Sequence, residues 1–276
     1  MSLPRIRILA PADVPAATEA LAHDLGDRRS WLEFAASHPA CTTLLADAGA
    51  AVVGTAVGTA NGPAGWLATI WVAAPYRGQG LGRALTQAVM DRLGDAGCRT
   101  FVLVSTDVGR PLYERMGYEV QNWYRILEAP GTADPIEASV RPFQPADLAA
   151  IEHLDAESTG EDRRHVLGLF ASPQSALAAT DPTGLVTGFV IRAPWGGGAT
   201  IGADATTAEL LVRARRAAAG PDRRVRVGLL SDNVGGLERL GRAGFRAIWS
   251  APRMVAGAPL AWHPDRIYGQ FNHAIG

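Results

Sequence analysis

Lysine is absent from the 276 residues, so all 26 basic side chains are arginine. Together with abundant alanine, glycine and proline, this usage reads as GC-rich coding rather than as chemistry. The absence still excludes one phosphate-binding device, because a P-loop needs a lysine after its last glycine. Cysteine is scarce: Cys41 and Cys98 stand apart and match no metal or redox spacing. Two isolated thiols suit a reducing compartment, and no metal is expected. No apolar run reaches bilayer-spanning length, and the first residues lack a signal-peptide core, so a cytoplasmic protein without membrane partners is expected. Met1–Leu3 read as a vector remnant and carry no argument. Neither sign of charge is in excess, the net charge being −1, so no basic face calls for nucleic acid or an anionic membrane.

What the chain does have is length enough for two domains and one informative stretch, residues 65–93. Leu67–Val72 is a short apolar run that reads as a buried strand, closed by Pro75. Arg77-Gly78-Gln79-Gly80-Leu81-Gly82 is a glycine-rich turn. Leu81, Leu85, Val89, Met90 and Leu93 then recur at helical spacing, so a helix begins inside the turn. A strand, a glycine loop and a helix N-terminus make a site for an anionic phosphate. The first helical amides have no partner, the dipole end is positive, and glycine lets the backbone approach a ligand. The dinucleotide fingerprint is not met, since Arg83 stands where its third glycine belongs.

The stretch resembles the acyl-CoA loop of the GNAT family of N-acetyltransferases, [QR]-x-x-G-x-[GA], with Arg77, Gly80 and Gly82 at its fixed positions. The lead-in Trp71-Val72-x-x-Pro75-x-Arg77 is also similar to that family. The resemblance implies acetyl-CoA as co-substrate, contacted by Ile70, Trp71, Val72, Arg77, Gly78, Gln79, Gly80, Leu81, Gly82, Arg83 and Thr106. Thr106–Tyr118 resembles the family's N-x-x-A-x-x-L-Y-E-K-x-G-[FY] segment, with Thr106 and Gly109 departing from the usual Asn and Ala. By that match Tyr113 is the catalytic residue beside the thioester sulfur, donating a proton or a hydrogen bond to the leaving thiolate. A phenol of ordinary pKa, about 10, suits either role. No carboxylate lies on the strand Leu67–Val72, where some relatives carry a general base. A water relay or a carboxylate from elsewhere, such as Asp24 or Glu33 near the acceptor-facing helices, could take that role, although both carboxylates read first as surface charges.

The other segments follow the family's order β-α-α-β-β-β-α-β-α-β over residues 4–128. Strands are expected at 5–10, 42–47, 51–59, 100–105 and 118–127, and helices at 14–22, 30–36 and 110–116. Asp13 reads as an N-cap and Gly117 as a helix-terminating glycine. Residues 129–138 read as a linker. Beyond it the chain repeats itself: Pro145-Ala146-Asp147 echoes Pro11-Ala12-Asp13, and Gly188 echoes Gly54, both at an offset of 134. The closing segment Asn233–Phe245 repeats at an offset of 127, so seven residues are lost between Gly188 and Gly244. That interval has no [QR]-x-x-G-x-[GA]. Asp204 stands at its helix start as a cap, and Leu240 takes the tyrosine position. The charged segment 157–165 reads as a solvated helix face, or else as one side of an acceptor cleft, and the segment 262–269 as a closing strand or loop.

The expectation is an α+β protein of two GNAT-like domains, 1–130 catalytic and 139–276 degenerate, each a mostly antiparallel sheet flanked by helices. The resemblance implies acetyl transfer by direct attack of a primary amine, on a small molecule or a peptide. The alternatives are an acyl-CoA-binding sensor without turnover, or an acyltransferase using another acyl chain or an alcohol.

Overall fold

The alternating run at the start of the chain forms strand β1, Arg5–Ile8, in the computed structural model, which describes residues 4–276. Met1–Leu3 lie outside the described residues. A 3₁₀ turn over Pro11–Asp13 leads into α1 (Val14–Leu25), which Gly26 ends at φ 72°. Then follow α2 (Arg29–Ser37), β2 (Cys41–Ala48), β3 (Ala51–Asn61) and β4 (Ala64–Val72). After the glycine loop come α3 (Leu81–Asp95), β5 (Thr100–Val104) and the short α4 (Arg110–Glu114). The expected elements are present, and the strands of the central hairpins run two or three residues further than alternation indicated.

Asp13 is not the side-chain cap expected of it. Its carboxylate instead takes two hydrogen bonds from the Arg7 guanidinium, at 2.6 and 2.9 Å, and one from the Ala10 amide at 2.8 Å. A paired cation holds the Asp13 pKa below the usual carboxylate range. The repeat reproduces this device: Asp147 accepts twice from Arg141 at 2.8 Å and once from the Gln144 amide at 2.7 Å.

The chain divides into two compact units, and the division differs from a cut at residue 130. The first holds residues 1–119, 254–259 and 273–275; the second holds 120–253, 260–272 and 276. The cause is strand pairing. β6 (Glu119–Pro130) pairs antiparallel with β11 (Arg224–Leu230), from Tyr124↔Leu230 to Pro130↔Arg224, so residues 124–130 are held in the second unit. Ala129 and Pro130, expected in the linker, therefore belong to a strand.

In the first unit the strand order is β1-β2-β3-β4-β5, antiparallel except for the parallel pair β4–β5. α3 buries Leu81, Leu85, Val89 and Leu93 against Leu44, Val53, Ala56, Leu67 and Leu103. Each such side chain contributes about 1.5–3 kcal/mol. Gly58 makes the close approach possible, since a Cβ there would stand 2.5 Å from Val89 Cγ1.

The second unit adds β7 (Val140–Pro142), α5 (Leu148–Thr159), α6 (Arg164–Phe170), β8 (Ala176–Thr180), β9 (Val186–Arg192), β10 (Gly198–Gly202) and α7 (Ala205–Ala219). After β11 come α8 (Val234–Arg242), β12 (Arg246–Gly257) and β13 (Ile267–Gly269). One sheet runs β13-β10-β9-β8-β7, and β12, β6 and β11 lie in that order in the other. The charged segment is not a solvated face throughout. Glu161 and Arg163 are buried, and Arg163 forms a buried ion pair with Asp155 and lies over the Phe271 ring at 5.4 Å.

Candidate active site

β4 and β5 pair from Ala64↔Thr100 to Leu67↔Leu103 and no further. β4 continues to Val72, so its last residues run free of β5 while staying paired to β3, through Trp71↔Thr55 and Val72↔Gly54. The Ala73 amide donates to Val53 O at 2.9 Å. Because successive peptide groups of a strand alternate in direction, the Val72 amide faces away from β3, toward the opening between β4 and β5. Ala68, Thr69, Ile70 and Val72 are half-buried there, where most of the earlier strand is buried.

The opening begins at a strained residue. Thr69 has φ 51°, the one non-glycine positive φ among the described residues, and the β3–β4 register shifts between Thr55 and Val57. A β-branched residue is costly in that conformation. Two groups hold it: the Trp31 indole donates to Thr69 Oγ1 at 3.0 Å, and Thr55 Oγ1 donates to Thr69 O at 2.9 Å. The bulge turns the strand end away from its neighbour.

The loop beyond β4 is clamped from below. Arg77 donates through Nε to Val72 O at 2.8 Å and through Nη2 to Asp24 at 2.5 Å, and the Trp71 indole donates to the same carboxylate at 2.8 Å. Hydrogen bonds from His23 and Trp71, with the Arg77 charge, lower the Asp24 pKa to about 2. A carboxylate so held is a poor proton acceptor and ties the loop to α1. Glu33 is exposed on α2. Gln79 donates to Pro75 O at 2.8 Å, which tightens the turn.

Gly78 (φ 74°) and Gly80 (φ 87°) adopt the left-handed region, and a Cβ at either would meet nothing within 4 Å. Gly80 is the N-cap of α3 and no side chain caps this helix, so the amides of Leu81, Gly82 and Arg83 remain available at its positive end. Leu81 itself is buried in the core and offers only its backbone. A Cβ on Gly82 would lie 3.4 Å from Leu112 Cδ2 and 3.8 Å from Val72 Cγ2, which places Gly82 where β4, α3 and α4 converge.

Tyr113, on α4, is 8 % exposed and packs edge-on against Tyr118 at 5.9 Å between centroids. Burial pushes its pKa up to about 12. Thr106 accepts through Oγ1 from the Gly109 amide at 3.2 Å, so its hydroxyl closes the turn into α4. Ser105, directly after β5, is 3 % exposed, and its hydroxyl has no hydrogen-bond partner. The sequence carried no signal for Ser105, for Thr69, or for the Asp24 clamp, whose partners lie 47 and 53 residues away.

These features fit an acyl-CoA. There are open amides at a glycine-lined helix start, the half-buried apolar side chains of Ile70, Val72 and Leu112 beside it, and a buried hydroxyl, that of Ser105, without a partner after β5. The second unit lacks them. Residues 73–80 join β4 to α3, whereas only Ala203 and Asp204 join β10 to α7. Asp204 accepts from the Thr207 amide at 2.8 Å, and Leu240 is buried in the core.

The family model described as Acetyltransferase (GNAT) family matches residues 8–118, and the one described as Acetyltransferase (GNAT) domain matches residues 151–269. None of the curated proteins matches the chain. Among solved structures, a presumed acetyltransferase from Pyrococcus horikoshii superposes with a TM-score of 0.84 at 18 % identity, covering 100 % of this chain and 97 % of that one. A GCN5-related N-acetyltransferase from Sphaerobacter thermophilus gives 0.66 at 18 %, covering 95 % and 100 %. A tandem GNAT protein from the clavulanic acid biosynthesis pathway gives 0.60 at 15 %, covering 92 % and 99 %. At these identities the likeness is one of fold.

Proposed function

The chain belongs to the GNAT acetyltransferase family, two of whose domains it carries in tandem, and from that premise we propose that it is an acetyl-CoA-dependent N-acetyltransferase acting through its first unit. The observation that carries the reading is the opening of β4 from β5 directly before an uncapped, glycine-led helix. The family works by acyl transfer. The open amides of α3 suit the pyrophosphate, and the cleft wall of Ile70 and Val72 suits the pantetheine chain.

The reaction is direct attack of a neutral primary amine on the thioester carbonyl. The C–N bond forms, the C–S bond breaks, and the thiolate leaves with a proton that originates on the amine. Holding both substrates in one cleft supplies much of the rate. The Val72 amide, facing the cleft, suits the developing oxyanion.

The role of Tyr113 follows from its burial on α4. Burial holds its pKa at about 12, above that of an ordinary thiol, so complete proton transfer from the phenol to the thiolate is unfavourable. The phenol thus acts as a hydrogen-bond donor that stabilises the departing sulfur, and the proton of the amine ends on the thiolate or in water. No side chain is assigned as general base.

The acceptor is a small-molecule or peptide amine. The test is CoA release from acetyl-CoA with a panel of primary amines, run beside longer acyl-CoAs and alcohols. Release with amines and acetyl-CoA supports the reading. Binding of acetyl-CoA without release with any acceptor would leave a sensor, and release only with another acyl chain or an alcohol would replace the substrate pair.

A further inference from the structure

A cavity of about 590 Å³ in the second unit is lined by Arg192 at the end of β9, Arg215 on α7, and Arg223, Arg224 and Arg226 at the start of β11. Glu128 is the single carboxylate of its wall; it pairs with Arg226 at 2.8 Å and lies 3.7 Å from Arg224. Five guanidiniums face one carboxylate in a chain whose net charge is −1.

Arg215 is the centre of this arrangement. It is half-buried and donates to Thr200 Oγ1 at 3.1 Å and to Arg226 O at 3.0 Å, both neutral acceptors. No ion pair with it is formed among the described residues. Withdrawal from water, with the nearby charge of Arg192, pulls its pKa down to about 10, the signature of a cation short of a counter-charge. A partly buried cation without an anion is costly, and folds normally supply one. A second cavity, of about 450 Å³, makes the contrast: its wall carries the carboxylates of Asp134, Glu137 and Glu209 beside four arginines, and Arg239 pairs there with Glu209.

We propose that the arginine-walled cavity of the second unit binds a small polyanion, a metabolite carrying two or more phosphate or carboxylate groups. The volume is that of a small-molecule site. Arginine forks match phosphate and carboxylate oxygens two at a time. The basic groups converge on a concavity instead of spreading along a face, which selects a small ligand over a nucleic acid. The unit that lost the acyl-CoA loop thereby keeps a ligand site of its own.

The test titrates inorganic pyrophosphate and tricarballylate, separately, into the full chain carrying Gly82→Val, so that the glycine loop of the first unit is blocked. At least one probe is expected to bind with one site per chain, more weakly as salt is raised. Which probe binds tells phosphate from carboxylate. Arg192→Gln and Arg223→Gln, both at exposed positions that leave the core untouched, should each weaken that binding about tenfold or more, the value of one charge-assisted contact. Absence of binding by both probes at millimolar concentration, or an affinity unchanged in both variants, would overturn the proposal. CoA release by the unmodified chain is independent of either result.

Discussion

Gly82→Val separates the phosphate-loop assignment from the stability of the fold. Gly82 is the second residue of α3 and is not at positive φ, so a side chain meets no backbone penalty there. Its Cβ would make ordinary contact with Leu112 Cδ2 at 3.4 Å and Val72 Cγ2 at 3.8 Å. Valine is also a better helix residue than glycine by a few tenths of a kcal/mol. The folded state should therefore be unharmed. The ligand should not be, because a helical Cα–Cβ bond tilts toward the N-terminus and the valine branches cross in front of the open amides. Losing even one amide–phosphate hydrogen bond costs about 1.5–3 kcal/mol, or about ten- to hundredfold in Kd. Gly80→Ala is the opposite control. At φ 87°, with nothing near its Cβ, it should cost about 1–2 kcal/mol of stability through backbone strain alone. Calorimetric titration with acetyl-CoA and thermal melts of both variants make the measurement. A folded Gly82→Val protein with unchanged acetyl-CoA affinity would remove the loop assignment.

Tyr113→Phe should lower kcat by about ten- to hundredfold, the value of one hydrogen bond to a developing thiolate, with little change in acetyl-CoA affinity, and near-full turnover in the purified variant would reduce Tyr113 to a packing residue. With its pKa raised to about 12, the phenol stays protonated across the working range, so kcat of the unmodified chain should show no falling alkaline limb below about pH 10. Asp24→Asn frees Arg77 and Trp71 from their shared anchor and should raise KM for acetyl-CoA several-fold at nearly constant kcat; a change confined to kcat would contradict a positioning role. Tyr118→Phe deletes a buried hydroxyl that has no hydrogen-bond partner and should stabilise the fold by about 1 kcal/mol in denaturant unfolding, whereas a clear loss would reveal a partner for that hydroxyl. The chain should bind one acetyl-CoA, and a calorimetric stoichiometry near two would contradict a second unit without a cofactor loop.

What was legible in the sequence was local. The β4–loop–α3 stretch announces itself because strand, glycines and helix are contiguous, and each follows from short-range periodicity or backbone freedom. The repeat was legible because Asp13 and Asp147 do the same task at the same spacing from Arg7 and Arg141, although the task is an arginine clamp and not a helix cap. What stayed hidden was non-local. Nothing in a threonine marks it for φ 51°; the cost is met by Trp31 and Thr55, which reach Thr69 from other elements. The motif marked Thr106 as a cofactor contact but did not show that its Oγ1 also accepts from the Gly109 amide of its own turn. Arg163 and Glu161 lie in a charged run that pattern alone assigns to water, but Asp155, one helical face away, takes Arg163 into the interior. The place of residues 124–130 in the second unit depends on a strand pairing about a hundred residues away in sequence, which no window of sequence contains.

The fate of the second unit follows from what stands beside its fourth strand equivalent. In the first unit β4 outruns β5, and the backbone of its last residues is left open to a ligand. In the second, β10 is shorter and its corresponding edge is occupied: β13 pairs antiparallel with it, at Thr200↔Gly269 and Ile201↔Ile267. A strand edge already satisfied by the chain cannot offer its amides to a pantetheine. The helix that follows is closed as well. Asp204 takes the Thr207 amide, and a Cβ on Gly202 would fall 2.5 Å from the Ala208 nitrogen, so α7 starts hard against the strand end with no room for a phosphate. A carboxylate at that helix start would also repel one. Restoring a glycine loop alone would leave β13 in place, and removing β13 alone would expose an apolar edge with no anion site above it. Both features, a glycine loop and a free β10 edge, would have to be present before this unit could hold a cofactor in the manner proposed for the first.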